Sequence, residues 1–416
     1  MIIYIVQFIL VLLFLRSNAR SKGTWLSSSG FLLIIYAIAA ALAIPTLNID
    51  GYVEARTSAY WLPMLMFLFC LGTFIVPFCR FNERTIEQIV LPNMTLLNAF
   101  TWFIIAVSFF AISFFSSSVN MIFALGNLGD ARNALYSGEM YVEVGLFNTI
   151  ASVGASMYVF ALLLFFVYSI IGNNKFKCIL LLISSVSEPL HILSYVGRDG
   201  VVFWLFSFIF LFLLFRPFMQ EDMSKRILKY FGIGTAILML PFLAISVSRF
   251  DSTDAGTDGA MISYMGQSFV GGPLYMGIDD KPFNEGASFP LFYEITGIKQ
   301  NNKYEVGGGM LQIGEWKSWH FSTFVISLYM NFHFVGLMLL AIVCAFLQKK
   351  VLGKARPIFS FECFFIYILF FQVYSQGVFY FKQYTRGGNL FILICLMLYL
   401  IFKVSKKSSA PLVRQQ

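Results

Sequence analysis

The charges of this chain are sorted by the apolar runs that separate them. Eleven such runs cover residues 1–15, 28–47, 59–79, 96–115, 146–171, 178–196, 201–215, 230–247, 319–347, 358–380 and 388–402. A helix rises ~1.5 Å per residue, so a bilayer core needs about 20 apolar residues. If the chain crosses at every run, 19 of its 29 Lys and Arg fall on one side. On the other side fall 15 of its 21 Asp and Glu. Cationic connections mark the cytoplasmic side of a membrane. The pattern therefore predicts an all-α polytopic membrane protein of about eleven spans. Its N-terminus is expected outside and its C-terminus in the cytoplasm.

Composition agrees. The chain is 58% hydrophobic and 12% charged; a soluble domain carries about twice that charged fraction. The net charge of +8 resides in short clusters at helix ends, such as Arg16/Arg20/Lys22 and Lys349/Lys350/Lys354/Arg356. Clusters of that kind anchor topology and meet anionic lipid, so membrane lipid is an expected partner and nucleic acid is not. Positive charges follow the first run rather than precede it, which predicts an uncleaved first helix rather than a signal peptide. The six cysteines, Cys70, Cys79, Cys178, Cys344, Cys363 and Cys395, lie in or beside apolar runs, so neither a disulfide framework nor a metal site is expected. No motif for nucleotide binding, metalloprotease or serine-hydrolase chemistry occurs, and no cofactor is expected.

The whole chain, 1–416, reads as one integral membrane domain with two long outer loops, 116–145 and 248–318. The second is too apolar at Phe269–Ile278 and Phe289–Ile298 for a disordered linker. It is expected to lie over the membrane surface in short helices, broken at Gly271-Gly272-Pro273 and Gly307-Gly308-Gly309.

Ionisable groups in or beside a membrane are costly and so are candidates for function. Glu188, His191, Tyr195 and Arg198 are spaced by three, four and three residues. On a helix they share one face ending at the outer surface, which suits a polar wall rising to an anion-binding Arg. The plainer alternative is a buried Glu–His pair and an Arg at a helix end. Arg249 and Asp251 open the long loop, offering a bidentate anion ligand and a general base. Glu315, Trp316, Trp319 and His320 close it, offering bases and aromatic platforms; an interfacial aromatic belt explains the two Trp equally well. Lys382 and Arg386 share one tight outer turn, against the topological rule, and suit an anion. Gln372 and Gln376 precede them. Glu362 sits near a cytoplasmic helix end, where snorkelling accounts for it.

Two stretches resemble one family. Ser194-Tyr195-Val196-Gly197-Arg198-Asp199-Gly200-Val201, opening an apolar helix, resembles the small-residue-plus-Arg motif of O-antigen polymerases, the oligosaccharide repeat unit polymerases. Phe324 to Gly336, with Leu328-Tyr329-Met330-Asn331-Phe332, resembles the Leu-Tyr-x-Asn-Phe-Gly segment after their long periplasmic loop; His333 stands where that segment has Gly. The paired Arg-x10-Gly pattern of some members is absent, since Ala260 lies at that spacing from Arg249.

The resemblance implies a glycosyltransferase in the bacterial cytoplasmic membrane, active on the periplasmic face. Donor and acceptor would be undecaprenyl-diphosphate-linked oligosaccharides. A chain-length regulator and a flippase would be further partners. Arg198, Arg249 and Arg386 would clamp the diphosphate, with Lys382, His191, Tyr195, Tyr329 and Asn331 contacting substrate. Glu315, His320 and Asp251 would be the candidate bases. Tyr264, Tyr275 and Tyr293 would join Trp316 and Trp319 as sugar platforms. O-antigen ligase is one rival. A lipid-linked oligosaccharide flippase is another, though it should carry its cations at mid-membrane rather than at the edges.

Overall fold

Each of the eleven apolar runs contains helix in the computed structural model of the chain, the run 358–380 only over Cys363–Gln376. The structure describes all residues except 49–51, 53–54, 56–59, 125–144, 173, 251–255, 279–287, 298–311, 314–315, 318–320, 354–356, 408–410 and 416. The side chains of 247–250, 256–261, 312–313 and 316–317 also lie outside the description.

In chain order the helices are α1 (Ile2–Lys22), α2 (Ser28–Thr46), α3 (Trp61–Arg80), α4 (Met94–Ala124), α5 (Leu146–Ser156), α6 (Tyr158–Ile171), α7 (Lys175–Ser184) and α8 (Ser187–Leu193). Then follow α9 (Asp199–Phe215), α10 (Glu221–Phe250), α11 (Gly256–Gly277), α12 (Pro290–Thr296), α13 (Thr323–Val351), α14 (Cys363–Gln376) and α15 (Arg386–Val404). Among the described residues five short strands accompany them: β1 (Gln88–Val90), β2 (Gln312–Ile313), β3 (Trp316–Lys317), β4 (Ile358–Ser360) and β5 (Leu412–Val413). Among the described residues nine helices are long and apolar enough to cross a membrane. The pair α5–α6, bent by 40° at Met157, makes a tenth if it is one span, and the shorter α14 is also apolar. The protein is thus an all-α polytopic membrane protein.

The helix ends follow local rules. The Ser27 side chain accepts a hydrogen bond from the Gly30 amide and caps α2. Gly23, at φ +66°, closes α1 seven residues beyond the expected limit. Helix α4 runs on to Ala124, so residues 116–124, expected as loop, are helical.

The chain divides into two interleaved units: Met1–Thr85, Asp258–Arg356 and Phe365–Cys395 form the first, and the remainder forms the second. In the first unit α1, α2 and α3 are tied at one end by a buried ion pair. Lys22 Nζ lies 3.1 Å from Glu83 Oε2, and the other Glu83 oxygen accepts the Ser28 amide.

At the opposite ends of those helices packs α11, against expectation. Helix runs straight through Gly271-Gly272-Pro273. Phe269, Val270 and Tyr275 are fully buried, so this part of the long loop does not lie over a surface. The glycines act as packing notches. A Cβ on Gly266 would lie 2.3 Å from the Leu42 carbonyl oxygen, and one on Gly272 would lie 2.6 Å from the Phe67 ring. The Gln7 amide donates to the Phe269 carbonyl, and Phe67 meets the Phe269 ring edge-on at 5.6 Å. Gly307-Gly308-Gly309 lies outside the described residues.

Helix α13 is kinked at His333, where φ is 55° and ψ is −177°. That region suits glycine almost alone and costs another residue about 1–3 kcal/mol. His333→Gly is therefore expected to raise the thermal midpoint of the purified protein. An unchanged or lowered midpoint in a detergent melting curve counts against strain at this position.

In the second unit three connecting segments, far apart in sequence, build a sheet of order β4-β1-β5. Strand β1 runs parallel to β4 and antiparallel to β5. Ile89 and Phe359 are fully buried and Leu412 nearly so, forming the sheet's inner face. Lys407 Nζ pairs with Glu362 at 2.5 Å, so Glu362 is held in an ion pair rather than snorkelling. Gln415 donates to the Pro217 carbonyl. The sheet brings the start of α4, the start of α14 and the chain's end to one side.

Candidate functional site

The second unit holds the polar cluster around Arg198. Glu188 and His191 are one turn apart on α8, and His191 Nδ1 lies 3.2 Å from Glu188 Oε2. The His191 ring packs on Phe115 of α4 at 4.6 Å and meets Tyr195 edge-on at 5.6 Å. The expected single face does not continue to Arg198, because α8 ends at Leu193. Its end is a Schellman turn: the Gly197 amide donates to the Ile192 carbonyl and the Val196 amide to the Leu193 carbonyl. Val196 holds the left-handed position, at φ 54°, where glycine is usual. It is fully buried with Ile122, Leu193 and Ile245, and that packing holds a β-branched residue in a costly conformation.

The turn delivers Arg198 to the N-cap of α9. The residue is 4% exposed, and its Nη1 donates to Ser246 Oγ of α10 at 3.0 Å. Gly197 and Gly200 let the turn close on α8: added Cβ atoms would lie 2.6 Å and 2.8 Å from the Ile192 side chain. A buried guanidinium beside a helix N-terminus is a strong anion site, because low dielectric strengthens each charge-assisted bond. Ser246 was missed in the sequence, since nothing local marks one serine of an apolar helix as a partner.

The first unit holds the other cluster. Arg386 opens α15 and donates from Nε to Glu294 Oε1 of α12 at 2.7 Å, with Nη2 at the same distance. Both side chains are largely exposed. Asn389, one turn on, donates to the Ser288 and Gln383 carbonyls and accepts the Leu291 amide. Asn331 of α13 accepts the Ser288 amide at 3.1 Å. Two amide side chains thus grip the backbone leading into α12. Gln376 receives Gln383 Nε2 at 3.0 Å and itself donates to Gln372. Lys382 lies half-buried in the turn Lys382–Tyr384.

Tyr329 is buried and meets Tyr275 edge-on at 6.1 Å. Tyr275, expected as a sugar platform, is fully buried and serves packing between α11 and α13 instead. Tyr264 packs edge-on against Phe321 at 4.6 Å. Glu315, His320, Asp251 and Trp319 lie outside the described residues, as do the side chains of Arg249 and Trp316. Arg198 and Arg386 belong to different units.

Among the described residues three non-glycines have positive φ: Val196, Thr323 and His333. Val196 lies in the 194–201 stretch, His333 in the 324–336 stretch, and Thr323 immediately before the latter. Backbone strain collects at functional sites. Searches for known relatives found no match to the chain: no family model, no curated protein and no solved structure.

Proposed function

We propose that the chain is a glycosyltransferase that polymerises undecaprenyl-diphosphate-linked oligosaccharide repeats, into O-antigen or a capsular polysaccharide, on the periplasmic face of the bacterial cytoplasmic membrane. The observation that carries this reading is Arg198, a buried guanidinium on a strained turn at the start of α9. A diphosphate is the leaving group of such a transfer, and stabilising its developing charge is the main electrostatic demand. The growing chain leaves undecaprenyl diphosphate as its reducing-end sugar bonds to a hydroxyl of the next repeat. Asp251, Glu315 and His320 remain the candidate bases for that hydroxyl, and Arg249, Lys382 and Arg386 the further cations.

The topology proposed is eleven spans, N-terminus outside and C-terminus in the cytoplasm. In it Arg198 and the Arg386 turn both fall on the outer side. The β4-β1-β5 sheet supports it, since that topology puts β1 and β5 in the cytoplasm and β4 at the cytoplasmic end of the tenth run.

The test is a gel of surface polysaccharide from cells lacking this gene. The expected result is a ladder collapsed to core plus a single repeat, restored by the wild-type gene. Core without any repeat, with polymer accumulating on undecaprenyl diphosphate, makes the protein a ligase. An unchanged ladder overturns both enzyme readings.

A further inference from the structure

Helix α12 is fixed at one end and latched at the other. At its entry Ser288 is buried, with its amide donating to Asn331 and its carbonyl accepting from Asn389. The Phe289 ring lies 5.6 Å from the rings of both Phe332 and Phe381. Within α12 itself no residue is buried, and Phe292 and Ile295 are exposed. Seven residues are too few to hold a helix by themselves. Its last turn is tied to α15 by the Glu294–Arg386 ion pair. Among the described residues neither side chain makes another hydrogen bond or ion pair. The pair is exposed, hence weak and screened by salt.

That latch occupies an anion site. The chain enters α15 through Thr385-Arg386-Gly387-Gly388. The Thr385 hydroxyl accepts the Gly388 amide, and its carbonyl accepts the Asn389 amide. The amides of Arg386 and Gly387 have no acceptor among the described residues. A Cβ built on Gly387 would meet nothing nearer than the Thr385 hydroxyl, at 4.0 Å, so a ligand can approach the backbone there. The first turn carries no acidic residue, and Lys382 stands four residues before Arg386 in the same outer turn. Open amides at the positive end of a long helix, with a guanidinium beside them, favour an anion. Arg386 already holds one: Glu294 Oε1 lies 2.7 Å from both Nε and Nη2. One carboxylate oxygen thus takes the two donors of a fork that a phosphate fills with two oxygens.

We propose that Glu294 is an internal stand-in for a phosphate at the start of α15, and that a phosphate or diphosphate displaces it and releases α12 about its fixed end. This rests on the function proposed above for the arrival of such a group at Arg386. A multiply charged anion outcompetes one carboxylate at the same fork, and the Gly387 amide adds a donor that Glu294 does not use. Helix α12 has no buried residue to hold it closed. Arg386 is therefore masked by its own chain until a phosphate arrives, and its unmasking frees the segment 290–296.

The experiment is hydrogen–deuterium exchange of segment 290–296 in the full-length protein, in phosphatidylcholine nanodiscs, as inorganic diphosphate is titrated. Binding of labelled diphosphate is measured alongside by equilibrium dialysis. Wild type is expected to exchange faster in this segment as diphosphate saturates, and faster at high salt without it. Glu294→Gln should exchange fast throughout and bind diphosphate about fivefold tighter, the factor by which a closed latch of ordinary strength lowers the competent fraction. Arg386→Gln should also exchange fast but lose the binding. Both side chains are exposed, so neither substitution unfolds the protein. Release by phosphatidic acid in the nanodisc, rather than by dissolved diphosphate, assigns the phosphate to a membrane headgroup and leaves the exchange of anions standing. No release by either source, or the same anion response in wild type and Glu294→Gln, overturns the proposal. Release together with an unchanged polysaccharide ladder in cells lacking the gene supports the latch and overturns only the polymerase reading; a collapsed ladder without release does the reverse.

Discussion

Arg198→Ala is expected to lower the polymerisation rate by about 100- to 1,000-fold, the usual loss when one preorganised donor to a developing charge is removed. The guanidinium is 4% exposed and bonded to Ser246, so little water stands ready to replace it. Arg198→Lys keeps the charge but loses the planar fork, and a bidentate phosphate contact does not survive that exchange. It should recover only a small part of the rate. Ser246→Ala separates catalysis from folding. It removes the same structural hydrogen bond, typically about 0.5–1.5 kcal/mol, and leaves the cation in place. The measurements are repeat transfer by purified protein across donor concentrations, with membrane levels and melting temperature alongside. A fall in kcat at normal melting temperature assigns Arg198 to the reaction. Full activity of Arg198→Ala removes it from the site, and the proposed function loses its main support.

Periodicity and charge made the helices legible, because a bilayer leaves the backbone few other ways to satisfy its hydrogen bonds. The Glu188–His191 pair was legible for the same reason: three residues apart on a helix is a contact distance. Arg198 was read as the end of one helix face with Glu188, His191 and Tyr195, but it lies beyond α8 at the N-cap of α9, since a left-handed Val196 is not a residue that announces a turn. Gly271-Gly272-Pro273 reads as a break when exposed, yet it continues a helix where neighbouring helices approach too closely for side chains. The sheet was invisible because its strands are two or three residues long and separated by hundreds. Asn389 and Ser288 were passed over because their partnership spans 101 residues. Lys22 was read as one more topological charge; nothing around it in sequence names Glu83.

That pair carries the largest expected effect on stability. Lys22 and Glu83 side chains are 2% and 5% exposed. Lys22 also donates to the Phe81 carbonyl, and Glu83 accepts the Ser28 amide at the N-terminus of α2, where a negative charge meets the positive end of the helix dipole. One carboxylate thereby joins the ends of α1, α2 and α3. Removing either partner strands a buried charge, and such changes cost about 3–5 kcal/mol. Glu83→Ala is expected to be the worse of the two singles, because it also leaves the Ser28 amide without its acceptor. Lys22→Met with Glu83→Leu is expected to recover most of the loss, since a packed apolar pair is commonly as stable as the ion pair it replaces. The contrast between single and double variants is the diagnostic, read as thermal midpoints in detergent. If Glu83→Ala melts with the wild type, the pair is not buried in solution. If the double variant is as unstable as the singles, backbone acceptance by Glu83 rather than charge pairing holds these three helix ends together.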